Sequence, residues 1–239
     1  MKKIALLSVF LVLIFSGSAF ALTATYFGED LGLGESTRLT SFPNATAAEA
    51  DFLSNLVGVG TEDFESLSGN APLSVDFGVA GTATLSGSGY VSTVPSGTNT
   101  VGRYPISGDN YFETSSANFS IAFSDPIAAF GFYGIDFGDF NGQILATFAN
   151  GTSTAYEIPH TVGAPGGSVI YWGLIDTESL FTSVTFSNIG SSADAFGFDN
   201  FTIGSVEQVV PTPEPGTIFM MGLGLLGLAG MGRKKLFRK

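Results

Sequence analysis

The sequence predicts an all-β protein, an antiparallel jelly-roll-like sandwich preceded by one short helix. Three observations support this fold class. The 239 residues include 32 glycines and 23 phenylalanines, while only 13% of residues are charged. Apolar and polar residues alternate with a period of two, and turn residues recur at short intervals. About ten short strands separated by frequent turns are typical of a sandwich.

The alternation is clearest where Phe119, Ile121 and Phe123 are separated by small or polar residues. The same period predicts strands around 144–148, 184–186 and 196–198. Further β-rich runs cover 73–79, 83–94, 110–114, 128–135, 152–158 and 169–175. Asn150-Gly151 separates two such runs, which predicts a hairpin.

One amphipathic helix is predicted over residues 47–57, ahead of the sandwich. Thr46 and Glu49 have the spacing of a capping box, and Gly58 marks the end of the helix. The apolar side chains with helical spacing, expected to pack on a sheet, are those of Phe52, Leu53, Leu56 and Val57.

Charge is distributed unevenly. Between Leu22 and Val210 there are 20 acidic residues and two basic ones, Arg38 and Arg103, so this stretch carries a formal charge of −18. Such a surface repels nucleic acid and anionic lipid, so no nucleic-acid partner is expected. The chain has no cysteine, which excludes disulfides, a thiolate nucleophile and a zinc site built on sulfur.

The N-terminal end has the pattern of a secretion signal over residues 1–21. Lys2 and Lys3 precede an apolar run, and Ala19 and Ala21 form an A-x-A site for signal peptidase. Cleavage is expected after Ala21, and an uncleaved membrane anchor is the alternative interpretation.

The C-terminal end, residues 209–239, has three successive parts. A proline-rich linker is followed by an uncharged, largely apolar run over 216–232 and then by the basic sequence RKKLFRK. The run predicts a short transmembrane helix. Positive charge is retained in the cytoplasm, so the body of the protein is expected outside the cytoplasm.

Pro213, Glu214 and Pro215, followed by this apolar run and a basic end, resemble the PEP-CTERM sorting signal. The resemblance implies recognition by exosortase and a Gram-negative host that makes exopolysaccharide. The same segment is also described as an ice-binding-protein C-terminal domain, a label for the tail that says nothing about ice. The predicted organisation is therefore a signal peptide (1–21), an N-terminal segment with the helix (22–60), a β-sandwich (61–208) and a sorting tail (209–239).

A partial calcium loop is formed by Asp136, Asp139 and Asn141, with a glycine immediately after. Alternating oxygen ligands and a glycine turn are features of calcium loops. A third carboxylate is missing at the expected spacing, although Asp199 and Asn200 could approach from a distant segment. The alternative is that these residues stabilise turns through side-chain to backbone bonds.

Aromatic residues beside turns are candidates for a glycan-binding platform, namely Trp172, Tyr171 and Tyr133. Sugar rings stack on such side chains, and glycan pockets combine apolar walls with a few polar groups. Aromatic residues are also common in strands, so a place in the core is the alternative.

Catalysis has little support in the sequence. The one histidine, His160, is expected at the surface, and no G-x-S-x-G motif accompanies it. The sequence predicts an exported, non-catalytic surface or matrix protein that binds exopolysaccharide or another glycan, with calcium as a possible cofactor. A structural matrix component without a ligand and a secreted glycan-acting enzyme are the alternatives.

Overall fold

Two antiparallel sheets packed face to face form the body of the chain, in a computed structural model that describes residues 22–115, 119–138, 141–188, 194–210 and 222–225. The body extends over Leu22–Val210 as one compact unit. The predicted all-β sandwich is therefore confirmed.

Seven strands form the first sheet, in the order β1-β11-β8-β13-β6-β5, with β2 paired to β13. Six strands form the second sheet, in the order β10-β9-β12-β7-β4-β3. The elements in chain order are β1 (Thr23–Asp30), α1 (Pro43–Leu53), β2 (Thr61–Glu62), β3 (Leu73–Asp76), β4 (Thr82–Ser86), β5 (Tyr90–Thr93), β6 (Asn110–Ser115), β7 (Ser120–Ile127), β8 (Ala129–Ile135), β9 (Gly142–Phe148), β10 (Ser153–Glu157), β11 (Val169–Asp176), β12 (Phe181–Asn188) and β13 (Ala195–Gly204).

Phenylalanine rings fill the space between the two sheets. Phe198 of β13 lies at the centre, with its ring centroid 5.1 Å from that of Phe132 and 5.2 Å from that of Phe119. Alternate residues of each strand supply this layer, because successive side chains of a strand point to opposite faces. The predicted alternation of Phe119, Ile121 and Phe123 is therefore the inner face of β7 and of the residue just before it.

The seven-stranded sheet has a second apolar face, which α1 and several loops cover. Strands β8 and β11 are buried along their whole length. Phe52 of α1 packs there against Tyr171, with ring centroids 5.9 Å apart. Tyr104 fixes the loops, since its hydroxyl donates to Gly167 O at 2.7 Å and accepts from Leu39 N at 3.2 Å.

Glycines on three adjacent strands let α1 approach this sheet closely. A Cβ on Gly131 or Gly173 would lie 2.9 or 2.8 Å from the Phe52 ring, and one on Gly28 would collide with the Asn44 backbone. Gly131 and Gly173 face each other across β8 and β11. The helix therefore sits where three strands lack side chains.

The helix begins and ends four residues earlier than predicted, because its N-terminus is capped from outside. Asp30, the last residue of β1, accepts from Asn44 N at 3.3 Å and from Ala45 N at 2.9 Å. Thr46 consequently lies inside α1 and not at its cap. After the helix ends, Leu56 is buried but Val57 is 58% exposed.

Two further corrections concern the strands. Strand β1 lies in the segment where only a helix was predicted, and it pairs with β11. The predicted run 83–94 is two strands, because the chain crosses between the sheets at 87–89. The predicted hairpin at Asn150-Gly151 is confirmed, with Thr147 paired to Ser153 and Gly151 at φ +82°.

The predicted signal peptide and most of the predicted sorting tail lie outside the described residues. Within the tail, 222–225 form a short helical stretch. No helix in the described part of the chain is long and apolar enough to span a membrane.

Replacement of Asp30 by alanine should destabilise the body by about 1 kcal/mol, because two backbone amides at the start of α1 lose their acceptor. Thermal unfolding of the purified protein would measure this. Asp30→Asn keeps one acceptor oxygen and should cost less. Equal melting temperatures for all three proteins would contradict the assignment of Asp30 as the cap.

Candidate functional site

A charged cluster around Arg103 lies at one end of the seven-stranded sheet. The Arg103 Nη1 atom is 3.1 Å from the Asp136 carboxylate and 3.2 Å from Ala195 O, and Nε is 3.4 Å from the Glu113 carboxylate. All three charged side chains are largely buried. The cluster therefore joins the loop before β6, the strand β6 itself and the residue after β8.

Both carboxylates of the cluster have further partners. Glu113 accepts from the Tyr111 hydroxyl at 2.8 Å and from Asn99 Nδ2 at 2.9 Å. Asp136 accepts from Gly167 N at 3.1 Å. These bonds hold the long loop before β6 against the sheet, and they give the Arg103 charge a structural role.

Of the three predicted calcium ligands, the structure describes Asp136 and Asn141. Asp136 is engaged with Arg103, so a guanidinium already neutralises its charge. Asn141 is exposed, and Asp139 lies outside the described residues. Among the described residues no group of three acidic or histidine side chains could hold a metal. Calcium binding by the three predicted ligands stays a prediction.

Asp199 contacts the backbone of a loop. Its carboxylate is fully buried and accepts from Ile106 N at 2.6 Å and from Asn200 N at 2.8 Å. Burial raises the pKa of Asp199 well above its usual range, although the backbone bonds act in the opposite direction. Asp199 therefore fixes the loop before β6 from the sheet side.

The three aromatic residues predicted to bind glycan are in the core. Trp172, Tyr171 and Tyr133 are each 1% exposed. Trp172 packs between the sheets against Phe132, while both tyrosines lie under α1. A ring enclosed on both faces cannot stack on a sugar at the surface. The predicted platform is therefore wrong for these residues.

His160 is also buried, contrary to the predicted surface position. Its Nε2 atom accepts a hydrogen bond from Gly142 N at 3.1 Å, and its ring packs edge-on against Phe137. An accepting Nε2 carries no proton. His160 therefore positions the start of β9 as a neutral side chain.

The outer face of the six-stranded sheet is a regular, mostly polar surface. Its strands alternate between buried apolar residues and outward-facing residues, most of which are small or carry a hydroxyl; Gln143 and Leu145 of β9 are exceptions. The register places Ser74, Thr84, Ala122 and Ser183 in one row across four strands. The hydroxyl face, as this surface is called below, is formed by Ser74, Thr82, Thr84, Ser86, Ser120, Ser124, Thr147, Ser153, Ser183, Thr185 and Ser187.

Charge is confined to the margins of the hydroxyl face. Asp76, at one end of the edge strand β3, and Glu157, at one end of the edge strand β10, are exposed. The body has two basic residues, and both contact other parts of the chain. Arg38 donates to Pro105 O, and Arg103 pairs with the carboxylates of its cluster. The alternation within each strand predicts its polar half, but the shared surface depends on the strand order, which no local pattern contains.

Beyond the body, a family model matches the C-terminal end of the chain at residues 211–234. These residues are a PEP-CTERM protein-sorting motif. The predicted resemblance is thereby confirmed, including Pro213, Glu214 and Pro215. The motif marks the chain for export and for sorting by exosortase to the cell surface.

Several solved structures show a distant similarity to the chain. The K2 cleaved adhesin domain of Lys-gingipain is 12% identical, with a TM-score of 0.37 and coverage of 61% of this chain and 98% of that one. The C-terminal family 22 carbohydrate-binding module of Clostridium thermocellum Xyn10B is 15% identical, with a TM-score of 0.37 and coverage of 64% and 96%. A search of curated proteins finds no match to the sequence.

Replacement of Arg103 by methionine should destabilise the body by roughly 3–5 kcal/mol, because two largely buried carboxylates lose their cation. Denaturant unfolding monitored by fluorescence would measure the change. Arg38→Met is the matched control, since Arg38 donates to Pro105 O at 2.7 Å and lies over Tyr104 at 5.3 Å. The control should cost about 1 kcal/mol, and equal losses would contradict the structural role of the cluster.

The body should become less stable as the pH rises above the acidic range. The pKa of Asp199 is raised in the folded state, mainly by burial. Stability from its neutral form is therefore fully present below the unfolded pKa of about 4 and is lost as the pH rises through the folded pKa. Burial raises the pKa values of Glu49 and Glu62 in the same direction.

Melting temperatures between about pH 4 and pH 8 would test this dependence. Asp199→Asn removes one titrating group and should give a shallower decline with pH than the wild-type protein. A parallel decline in both proteins would contradict the assignment to Asp199.

Proposed function

We propose that the chain is a non-catalytic protein of the cell surface or extracellular matrix, and that its hydroxyl face binds exopolysaccharide or another glycan. The single observation that carries this proposal is the regular array of serine and threonine side chains across six hydrogen-bonded strands. The sorting motif at 211–234 supports delivery of this surface to the outside of the cell.

Serine and threonine hydroxyls suit a polyhydroxylated ligand because each one can donate and accept a hydrogen bond. Neighbouring strands lie about 4.8 Å apart, and alternate residues along a strand face the same side. Thr84 and Ser183 therefore lie in one lateral row, with Ala122 between them. An extended polymer can contact several hydroxyls at once while approaching close to the sheet.

Each contact of this kind is weak, because a hydrogen bond to the glycan replaces a hydrogen bond to water. The net gain is typically about 1 kcal/mol per bond. Useful affinity then requires several contacts along one polymer, or several protein copies on one chain, which raise the effective concentration. The proposed binding therefore favours long polysaccharides over single sugars.

Electrostatics favour a neutral glycan. The stretch from Leu22 to Val210 carries a formal charge of −18, and both of its arginines make contacts away from the hydroxyl face. Acidic polysaccharides would be repelled by the body and would find no cation on this face. The proposed ligand class is therefore uncharged exopolysaccharide.

The proposed route begins with signal peptidase cleavage after Ala21. The precursor is then held in the inner membrane of a Gram-negative cell by residues 216–232, with its C-terminus in the cytoplasm. Exosortase processing next to Pro213-Glu214-Pro215 follows, and the body is delivered to the cell surface or matrix. The positive charge after the apolar run supports this orientation.

A purely structural matrix component without a specific ligand is the second candidate. The burial of Trp172, Tyr171 and Tyr133 favours it, because the strongest predicted sugar contacts are enclosed in the core. In this case the acidic, hydroxyl-rich surface would serve only to keep the protein hydrated.

Thr84→Val combined with Thr185→Val should weaken polysaccharide binding by about fivefold or more, since each lost hydrogen bond is worth roughly 0.5–1.5 kcal/mol. Both substitutions keep the β-branched shape. Thr23→Val with Thr25→Val, at exposed positions of β1, is the matched control. Affinity electrophoresis in gels that contain neutral or acidic polysaccharide would measure retention.

Retention in neutral gels alone, reduced only by the pair on the hydroxyl face, is the expected result. Equal migration of all three proteins in every gel would favour the structural component. Stronger retention in acidic gels would contradict the neutral ligand.

A further inference from the structure

Both ends of the body lie at the same end of the seven-stranded sheet. Leu22 N donates to the Thr177 hydroxyl at 2.8 Å, just beyond the first pair of β1 and β11. Ala128 N donates to Gly204 O at 2.8 Å, which places the end of β13 in the same row. The chain then continues from Gly204 to Val210 at this end.

The last residues of the body are tied to the segment after α1. Val210 N donates to Asn55 O at 2.8 Å, and Val57 N donates to Gln208 O at 2.8 Å. The Gln208 side chain adds a bond to Gly58 O at 2.6 Å. The chain is therefore fixed to the body up to the residue before the sorting motif, which begins at 211.

This anchoring limits how far a processing enzyme can be from the body. Pro213-Glu214-Pro215 ends five residues after Val210. Five residues span at most about 18 Å when fully extended. A protein that binds these prolines and the glutamate must therefore come within about one protein radius of Val210.

Such a protein would meet three exposed valines beside the point where the chain leaves the body. Val57, Val206 and Val210 are 58%, 37% and 40% exposed, and they belong to the two segments that the hydrogen bonds join. Glu207 adds one exposed carboxylate among them. These three valines with Glu207 are called the exit patch.

We propose that the exit patch is a docking surface for the exosortase-type enzyme that recognises the sorting motif, so that the enzyme contacts the folded body in addition to residues 211–234. This inference rests on the sorting motif and does not depend on glycan binding. The short distance between the exit patch and the sorting motif identifies the partner, because a protein that binds the motif must come close to the patch.

Two other occupants fit the exit patch less well. A lipid surface would have to accept a body with a charge of −18 and the carboxylate of Glu207, which anionic headgroups oppose. A second copy of the chain would bring together two surfaces with the same charge. A partner with an apolar surface and a positive group opposite Glu207 matches the patch better.

The absence of cysteine from the chain makes a site-specific crosslinking test possible. Val57→Cys in the full precursor would carry a thiol-linked photocrosslinker in host membranes. Val162→Cys is the matched control, since Val162 is 60% exposed and its neighbour Thr161 contacts Glu29 at the opposite end of β1. The expected result is an exosortase adduct from position 57 only, absent in cells that lack the enzyme.

Adducts from position 57 with lipid alone or with a second copy of the chain would overturn the proposal, as would equal exosortase adducts from positions 57 and 162. A rate measurement adds an independent readout. Val57→Ser with Val206→Ser should slow conversion of the precursor by about fivefold, from the loss of partly buried apolar contacts. Val162→Ser should leave the rate unchanged.

Two controls separate docking from other defects. Melting temperatures of the variants must match that of the wild-type precursor, which shows that the body still folds. Polysaccharide retention should be unaffected, because the hydroxyl face lies on the other sheet. Normal conversion of well-folded Val57→Ser/Val206→Ser protein would sink the docking proposal and leave the glycan proposal intact.

Discussion

The burial of β8 and β11 on both faces is the constraint on which the rest of the body depends. An antiparallel sheet usually presents one face to solvent, but here Phe132 points to one apolar layer and Tyr133 to another. The chain must therefore supply a third layer, which it builds from α1 and the loops around Tyr104. Asp199 and the Arg103 cluster attach the loop before β6, which belongs to this third layer, to the sheet.

Those contacts explain how a strongly acidic chain uses its few cations. Arg103 neutralises carboxylates at the sheet end, and Arg38 ties the loop at Pro105. Asp199 and Asp30 act without a cation, by accepting backbone amides. Both arginines are committed to the covering layer, so the outer face of the opposite sheet has no basic side chain and consists largely of hydroxyls and small side chains.

The sequence predicted features that depend on neighbouring residues, such as strand alternation. It did not predict features that depend on the order and pairing of the strands. Phe119, Ile121 and Phe123 could be recognised because one face of β7 is buried and the other is not. The cap of α1 could not, since Asp30 lies thirteen residues before the helix and reaches it only through the pairing of β1 with β11. Trp172 looked available because its strand is bounded by turns, whereas the second sheet closes over it. The row of Thr84 and Ser183 required the strand order, which no local pattern contains.

The anchoring of Val210 has a mechanical consequence. A pull on the tail is transmitted first to the bonds that Val210 and Gln208 make with residues 55–58, and then along the axis of β13. Because β13 pairs with both β8 and β6, a pull directed along this strand loads its ladder bonds in shear, so that they break together and not one after another. A body attached through this end would resist flow or traction on the cell as a folded unit.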